Sequence, residues 1–216
     1  MDVTRSSVSP VELVVGLGNP GSEYANSRHN AGFMVIERLL AGFPAGRFEE
    51  TRISESRLFS GKFRGRSLYL QMPLTYMNLS GNAVGGFCRK ARIGADRVLV
   101  ILDDMDLEPG RIRLKGSGSA AGHHGLESVI SALGTSEVKR LRIGIGHPGP
   151  GKTVDYVLSG FEGDEERKFS AALDTAAEAV KMVLSAGMDR AMNRYNARPE
   201  DPAADDKTST KKEVLS

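Results

Sequence analysis

Four short apolar runs, each followed at once by a polar or glycine-rich segment, set the frame for this chain. They span 12–15, 68–72, 98–102 and 141–145. Runs of this length read as buried strands. Helical spacing lies between them. Phe33, Ile36, Leu39 and Leu40 share one stripe of 31–40, and Gly42 ends it. A glycine-interrupted helix is expected over 79–91 and a short one over 126–133. Phe169, Leu173, Ala176, Val180 and Val183 mark one face of 164–186, and a last helix covers 188–195. Segments 57–63 and 66–72 flank a Gly-containing turn and predict a hairpin. This alternation predicts an α/β fold: a single three-layer domain with a twisted, mostly parallel mixed sheet flanked by helices. In open sheets of that kind, ligands bind beyond the carboxyl ends of the strands. The segments leaving those ends carry Asn19, His29, Asn78, Asp103 and His147, which are therefore expected to converge.

Composition narrows the function classes. The 216 residues are 40% hydrophobic and 26% charged, ordinary for a globular chain. The single cysteine, Cys88, excludes an intrachain disulfide and a cysteine-based zinc cage. No apolar run is long enough to span a membrane, and residues 1–10 lack the apolar stretch of a secretion signal. A cytoplasmic location is expected. The segment 197–216 is polar and expected to be a disordered tail after a folded domain of residues 1–196. That tail takes four of the 29 basic residues and five of the 27 acidic ones, leaving a body of net charge +3. Such a charge does not by itself point to nucleic acid, so its distribution decides.

Two familiar patterns match and mislead. Gly16-Leu-Gly18-Asn-Pro-Gly21 satisfies the G-x-G-x-x-G dinucleotide fingerprint. That fingerprint needs a helix directly after the glycines and a second strand ending in an acidic residue. Here Pro20, Tyr24 and Asn26 occupy the helix position, and no such strand follows Leu40. Gly146-His-Pro-Gly-Pro-Gly151-Lys152-Thr153 satisfies the phosphate-loop pattern of nucleotide hydrolases. The apolar strand ending in Asp103 precedes it instead of following it, and Thr153-Val-Asp-Tyr-Val is a poor helix start. Nucleotide hydrolysis stays as the rival enzyme reading.

The four histidines are His29, His123, His124 and His147. None has a second histidine at helical spacing, and no G-x-S-x-G elbow is present. Hydrolysis by this chain is therefore expected to use a histidine base on water, oriented by a carboxylate and helped by amide donors. A free imidazole titrates near about 6.5, which suits that role at neutral pH.

The stretches GLGNPGSEYANSRHNAGF, PLTYMNLSGNAV, VILDDMDLEPGRIRLKGSGSAAGHHGL and RLRIGIGHPG closely resemble the bacterial-type peptidyl-tRNA hydrolase family, over about residues 13–196. The resemblance implies cleavage of the ester between a peptide and tRNA, which recycles tRNA in translation and ribosome rescue, without metal or organic cofactor. It implies peptidyl-tRNA as the partner, held by its acceptor stem and 3′ end, and a monomer. It assigns the base to His29, its orienting carboxylate to Asp103, and discrimination of a blocked amino group to Asn19. Asn78 matches a substrate contact, and its side-chain amide is expected to act in catalysis as a donor to the oxyanion that ester hydrolysis produces. Tyr24, Tyr76 and Met77 match substrate contacts, and Lys115 and Arg142 match residues that grip tRNA phosphate. Arg113 belongs to the same basic segment, beside a Gly/Ser loop and a helix start near His123 that favour phosphate. His124 stands where the family usually has asparagine. It is expected to bind substrate with retained activity and altered pH dependence. A non-catalytic RNA-binding protein on the same scaffold is the rival from another class.

Overall fold

The computed structural model describes residues 10–53, 55–148 and 153–197. The tail beyond Ala197 and residues 149–152 of the phosphate-loop match lie outside them. The chain alternates strands β1 (Leu13–Gly16), β2 (Phe48–Ile53), β3 (Ser56–Phe63), β4 (Arg66–Pro73), β5 (Val98–Asp104), β6 (Ile112–Lys115) and β7 (Lys139–Gly144) with helices. The helices are α1 (Ala31–Ala41), α2 (Ser80–Ala91), α3 (His124–Leu133), α4 (Thr153–Leu158), α5 (Gly163–Ala186) and α6 (Met188–Tyr195).

The seven strands form one mixed sheet in the order β2-β3-β4-β1-β5-β7-β6. The four runs read from sequence are its parallel centre: β1 pairs with β4 and β5, and β5 with β7. The outer strands β2, β3 and β6 are antiparallel. Side chains alternate across the centre. Val14, Leu99 and Ile101 pack with α1, α5 and α6 on one face. Leu13, Val15, Val98, Val100 and Leu102 pack with α2 and α3 on the other. Each fully buried Val, Leu or Ile contributes about 1.5–3 kcal/mol, so both faces must be covered. This is the expected three-layer arrangement.

Two differences from the sequence reading have plain causes. Strands β2 and β6 were not foreseen. Phe-Glu-Glu-Thr-Arg-Ile in β2 is charged because the strand lies at a sheet edge, where charge is tolerated. A helix does start at Thr153, against its β-branched first turn. Tertiary contacts override propensity there: Arg28 lies 4.2 Å from the Tyr156 ring centre, and its backbone N–H donates to Ser159 O at 2.9 Å.

Gly16 of the first motif serves packing, since a Cβ on it would stand 2.3 Å from Gly32 O. Helix α1 rests directly on the exit of β1, where Leu17 N–H donates to Ile101 O at 2.9 Å. A Cβ on Gly32 would stand 2.3 Å from Leu17 N and 2.5 Å from Ile101 O, both backbone atoms. Gly32→Ala is therefore expected to destabilise the fold by about 3 kcal/mol, the upper part of the overpacking range. Urea unfolding of the variant measures it, and a loss below about 0.5 kcal/mol would contradict this packing.

Candidate active site

His29 sits in a tight turn (Arg28–Asn30) between β1 and α1. Its flanking residues anchor it. Arg28 is buried, with its guanidinium paired to Glu165 at 2.8 Å through both nitrogens and stacked 3.9 Å from the Phe161 ring centre. Asn30 is buried too. Its Oδ1 accepts from Asn19 N–H at 2.8 Å, and its Nδ2 donates to Asn19 O at 3.0 Å. One side chain thus fixes the backbone of Asn19 next to the histidine.

Asp103, near the end of β5, is 3% exposed. Its Oδ1 lies 2.8 Å from His29 Nδ1 and 3.1 Å from His123 Nε2. Burial alone would raise the Asp103 carboxyl. The hydrogen bonds and charges of His123 and then His29 outweigh it and hold the group well below the usual carboxylate range. An ionised carboxylate only accepts, so each facing nitrogen carries a proton. His123 also caps α3, its Nδ1 accepting from Leu126 N–H at 3.2 Å. Both nitrogens of neutral His123 are therefore engaged. Neutral His29 keeps a bare Nε2, so His29 is the imidazole with a free lone pair. The two rings are 5.0 Å apart.

These residues line a cavity of about 330 Å³, with Asn19, Met77, the 119–124 loop and Val157 among its walls. Asn19, which lines the cavity, accepts from Met77 N–H at 2.9 Å through Oδ1, which orients the amide, and its Nδ2 has no hydrogen-bond partner among the described residues. His29, Asp103 and His123 are also the one group among the described residues able to hold a metal, with ligand atoms within 4.8 Å of one another. An ion there would displace both N–H donors from Asp103.

Other expected residues are placed differently. Asn78 is exposed on the turn Met77–Leu79 and is outside the cavity lining, because successive residues of such a turn point apart and Met77 takes the inward position. Tyr76 is 66% exposed beside Leu79. Tyr24 is half-buried in the turn Ser22–Tyr24, also outside the lining. His147 lies in a separate hollow with Tyr156 and Glu165. Lys115 and Arg142 do line the cavity. Arg113 is exposed on β6, two residues before Lys115 on the same side. Arg142 is not a free cation: Asp104 pairs with its Nε, and Asp106 stands 3.8 Å from its Nη2. Burial raises the Asp104 carboxyl, with Arg142 opposing that. His124 is the first residue of α3 at the cavity rim, 76% exposed and 3.7 Å from Glu127.

The sequence marks only a helix start near His123, and Asn30 carries no signal of its own. Nothing local marked Asn30, whose partner is eleven residues away.

The chain matches the family model of peptidyl-tRNA hydrolase over residues 13–203. It is 47% identical over 193 residues to the peptidyl-tRNA hydrolase of Symbiobacterium thermophilum, covering 86% of this chain and 98% of that one. It is 44% identical over 184 residues to that of Carboxydothermus hydrogenoformans, covering 85% and 97%. The crystal structure of peptidyl-tRNA hydrolase from Acinetobacter baumannii superposes with a TM-score of 0.82 at 37% identity, covering 89% of this chain and 97% of that one. With the family model matched over residues 13–203 and these relatives covering 85–89% of its length, the chain belongs to the peptidyl-tRNA hydrolase family.

Proposed function

We propose that this chain hydrolyses the ester between a peptide and the terminal ribose of tRNA, with His29 as the base and no metal in the reaction. The observation that carries the reading is the His29–Asp103 bond of 2.8 Å on the cavity wall, beside an Asn19 amide whose orientation is fixed. A water oxygen attacks the ester carbonyl carbon while His29 Nε2 takes its proton. Asp103 stabilises the imidazolium that forms. The carbonyl becomes an oxyanion, and a donor such as Asn19 Nδ2 is suited to substrate carbonyl oxygens. The ester C–O bond then breaks, the ribose oxygen recovers the proton from His29, and the peptide leaves as an acid. A free, protonated α-amine offers Asn19 no acceptor, whereas an N-blocked group brings a carbonyl.

Tyr76, Asn78 and Leu79 present an exposed rim on which the 3′ end of tRNA would lie, with the acceptor stem toward Lys115 and Arg113. Among the described residues no helix is long and apolar enough to cross a membrane. A monomer acting in the cytoplasm on tRNA left by abandoned translation fits this reading.

The direct test is release of tRNA from N-acetyl-aminoacyl-tRNA with no added metal or nucleotide and a chelator present. Turnover is expected. A folded chain that binds tRNA without turnover would instead favour RNA binding without catalysis.

His124 has its own test. Imidazoles generally titrate between pH 5 and 8, and asparagine does not. His124→Asn is expected to keep kcat within about threefold, since the side chain is outside the Asp103 cluster, and to change the pH dependence of KM. Profiles that overlay across pH 5–8 would remove His124 from substrate binding.

A further inference from the structure

The largest fully buried side chain among the described residues is charged. Arg140, on β7, is 1% exposed. It donates from Nε to Val138 O at 3.0 Å, from Nη1 to Gly118 O at 2.7 Å and Ser119 O at 2.9 Å, and from Nη2 to Ser136 O at 3.0 Å. All four acceptors are backbone carbonyls. Arg142, two residues along, faces Asp104 and Asp106, whereas Arg140 has no carboxylate partner among the described residues. Burial, and then the charge of Arg142, pull its pKa below the ordinary arginine value. The charge of Glu137 opposes that shift, and arginine stays protonated in proteins, so a cation with no carboxylate paired to it among the described residues lies beneath the loop 116–122.

That loop is where the substrate's phosphates are read to arrive. Gly118 has φ 128°, a conformation side chains rarely adopt. A methyl placed on it would lie 3.8 Å from Arg140 Nη1 and 3.8 Å from Lys115 Nζ, so the two cations flank one point of the loop. Drawing the Gly118 and Ser119 carbonyls inward onto Arg140 leaves less acceptor density facing the cavity. Like charges at close range repel, and an incoming anion relieves that repulsion.

We propose, on the reading of peptidyl-tRNA as substrate, that Arg140 is a positioning residue for its phosphate: it holds the 116–122 loop so that Lys115 meets a phosphodiester. Arg140 acts through Lys115 and touches no reacting atom. It sets KM and the salt dependence and leaves kcat unchanged.

The test is steady-state hydrolysis of N-acetyl-aminoacyl-tRNA by the full chain across ionic strengths, with thermal unfolding of each variant alongside. Arg140→Lys keeps a charge but cannot span four carbonyls. It is expected to raise KM about tenfold, as Lys115→Met does, in line with loss of one charged hydrogen bond. In both, kcat stays within twofold and the slope of log kcat/KM against log salt falls by about 0.7–0.9. The double variant is expected to be no worse than the worse single one. Should Arg140→Lys not fold, Gly118→Ala disturbs the same point with Arg140 in place and carries the same expectation. A folded Arg140→Lys with unchanged KM, single effects that multiply in the double variant, or a fall in kcat matching the rise in KM would each overturn the proposal. No turnover by the wild type would instead sink the functional reading. The affinity of the same variants for uncharged tRNA then decides the role of Arg140, with an equal loss in Arg140→Lys and Lys115→Met supporting it.

Discussion

Replacing His29 by alanine lowers kcat on N-acetyl-aminoacyl-tRNA by about 10³-fold or more, within the range general-base groups supply, and leaves KM within a few-fold. The size follows from the count of lone pairs. Of the two imidazoles on Asp103, His123 has both nitrogens engaged, one by Asp103 and one by Leu126 N–H. His29 alone keeps a bare nitrogen, so no neighbour can take over when its ring is removed. The fold is expected to survive. The His29 side chain is 14% exposed, and the turn is held by Arg28 and Asn30 rather than by the imidazole. Equal unfolding midpoints with lost turnover would establish the role. Turnover within tenfold of wild type would show that the base lies elsewhere.

The central sheet was legible because its physics is local. Strands β1 and β5 are buried on both faces, which favours apolar residues throughout, and 98–102 announces β5 by composition alone. The edges were not legible by the same rule. Ile-Arg-Leu-Lys in β6 alternates with period two, yet four residues are too few to separate an edge strand from a basic loop. At the site, their places after apolar strands marked His29 and Asp103 as candidates, and the family resemblance gave them their roles. Arg142 shows the opposite limit. Its charge is visible in sequence, but the Asp104 and Asp106 pairs that occupy it depend on the β5–β7 register and the turn after β5. The same holds for Asn78. A sequence gives its neighbourhood to Met77, but only the turn decides which of the two faces the cavity.

Asp103→Asn is expected to cost nearly as much as loss of the base, about 10³-fold in kcat, by the logic that governs orienting carboxylates in histidine-based hydrolysis. The carboxylate accepts from two N–H groups through one oxygen. An asparagine keeps one carbonyl oxygen but adds an NH2 group. If that amide faces His29 Nδ1, the ring must place its proton on Nε2, and the water-side nitrogen can no longer accept one. If the carbonyl faces it instead, the tautomer survives but the imidazolium loses its counter-charge. Both orientations lower kcat, and neither removes a substrate contact, so KM should move little. Stability supplies an independent check. The folded-state carboxyl of Asp103 is held below its unfolded value of about 3.9. Its ionised form therefore stabilises the fold above that pH, and the contribution fades as the pH falls toward the folded-state value. In urea unfolding, the advantage of the wild type over Asp103→Asn should shrink below about pH 4. An advantage that grew with acid would mean that burial, and not the two histidines, sets the state of this carboxylate.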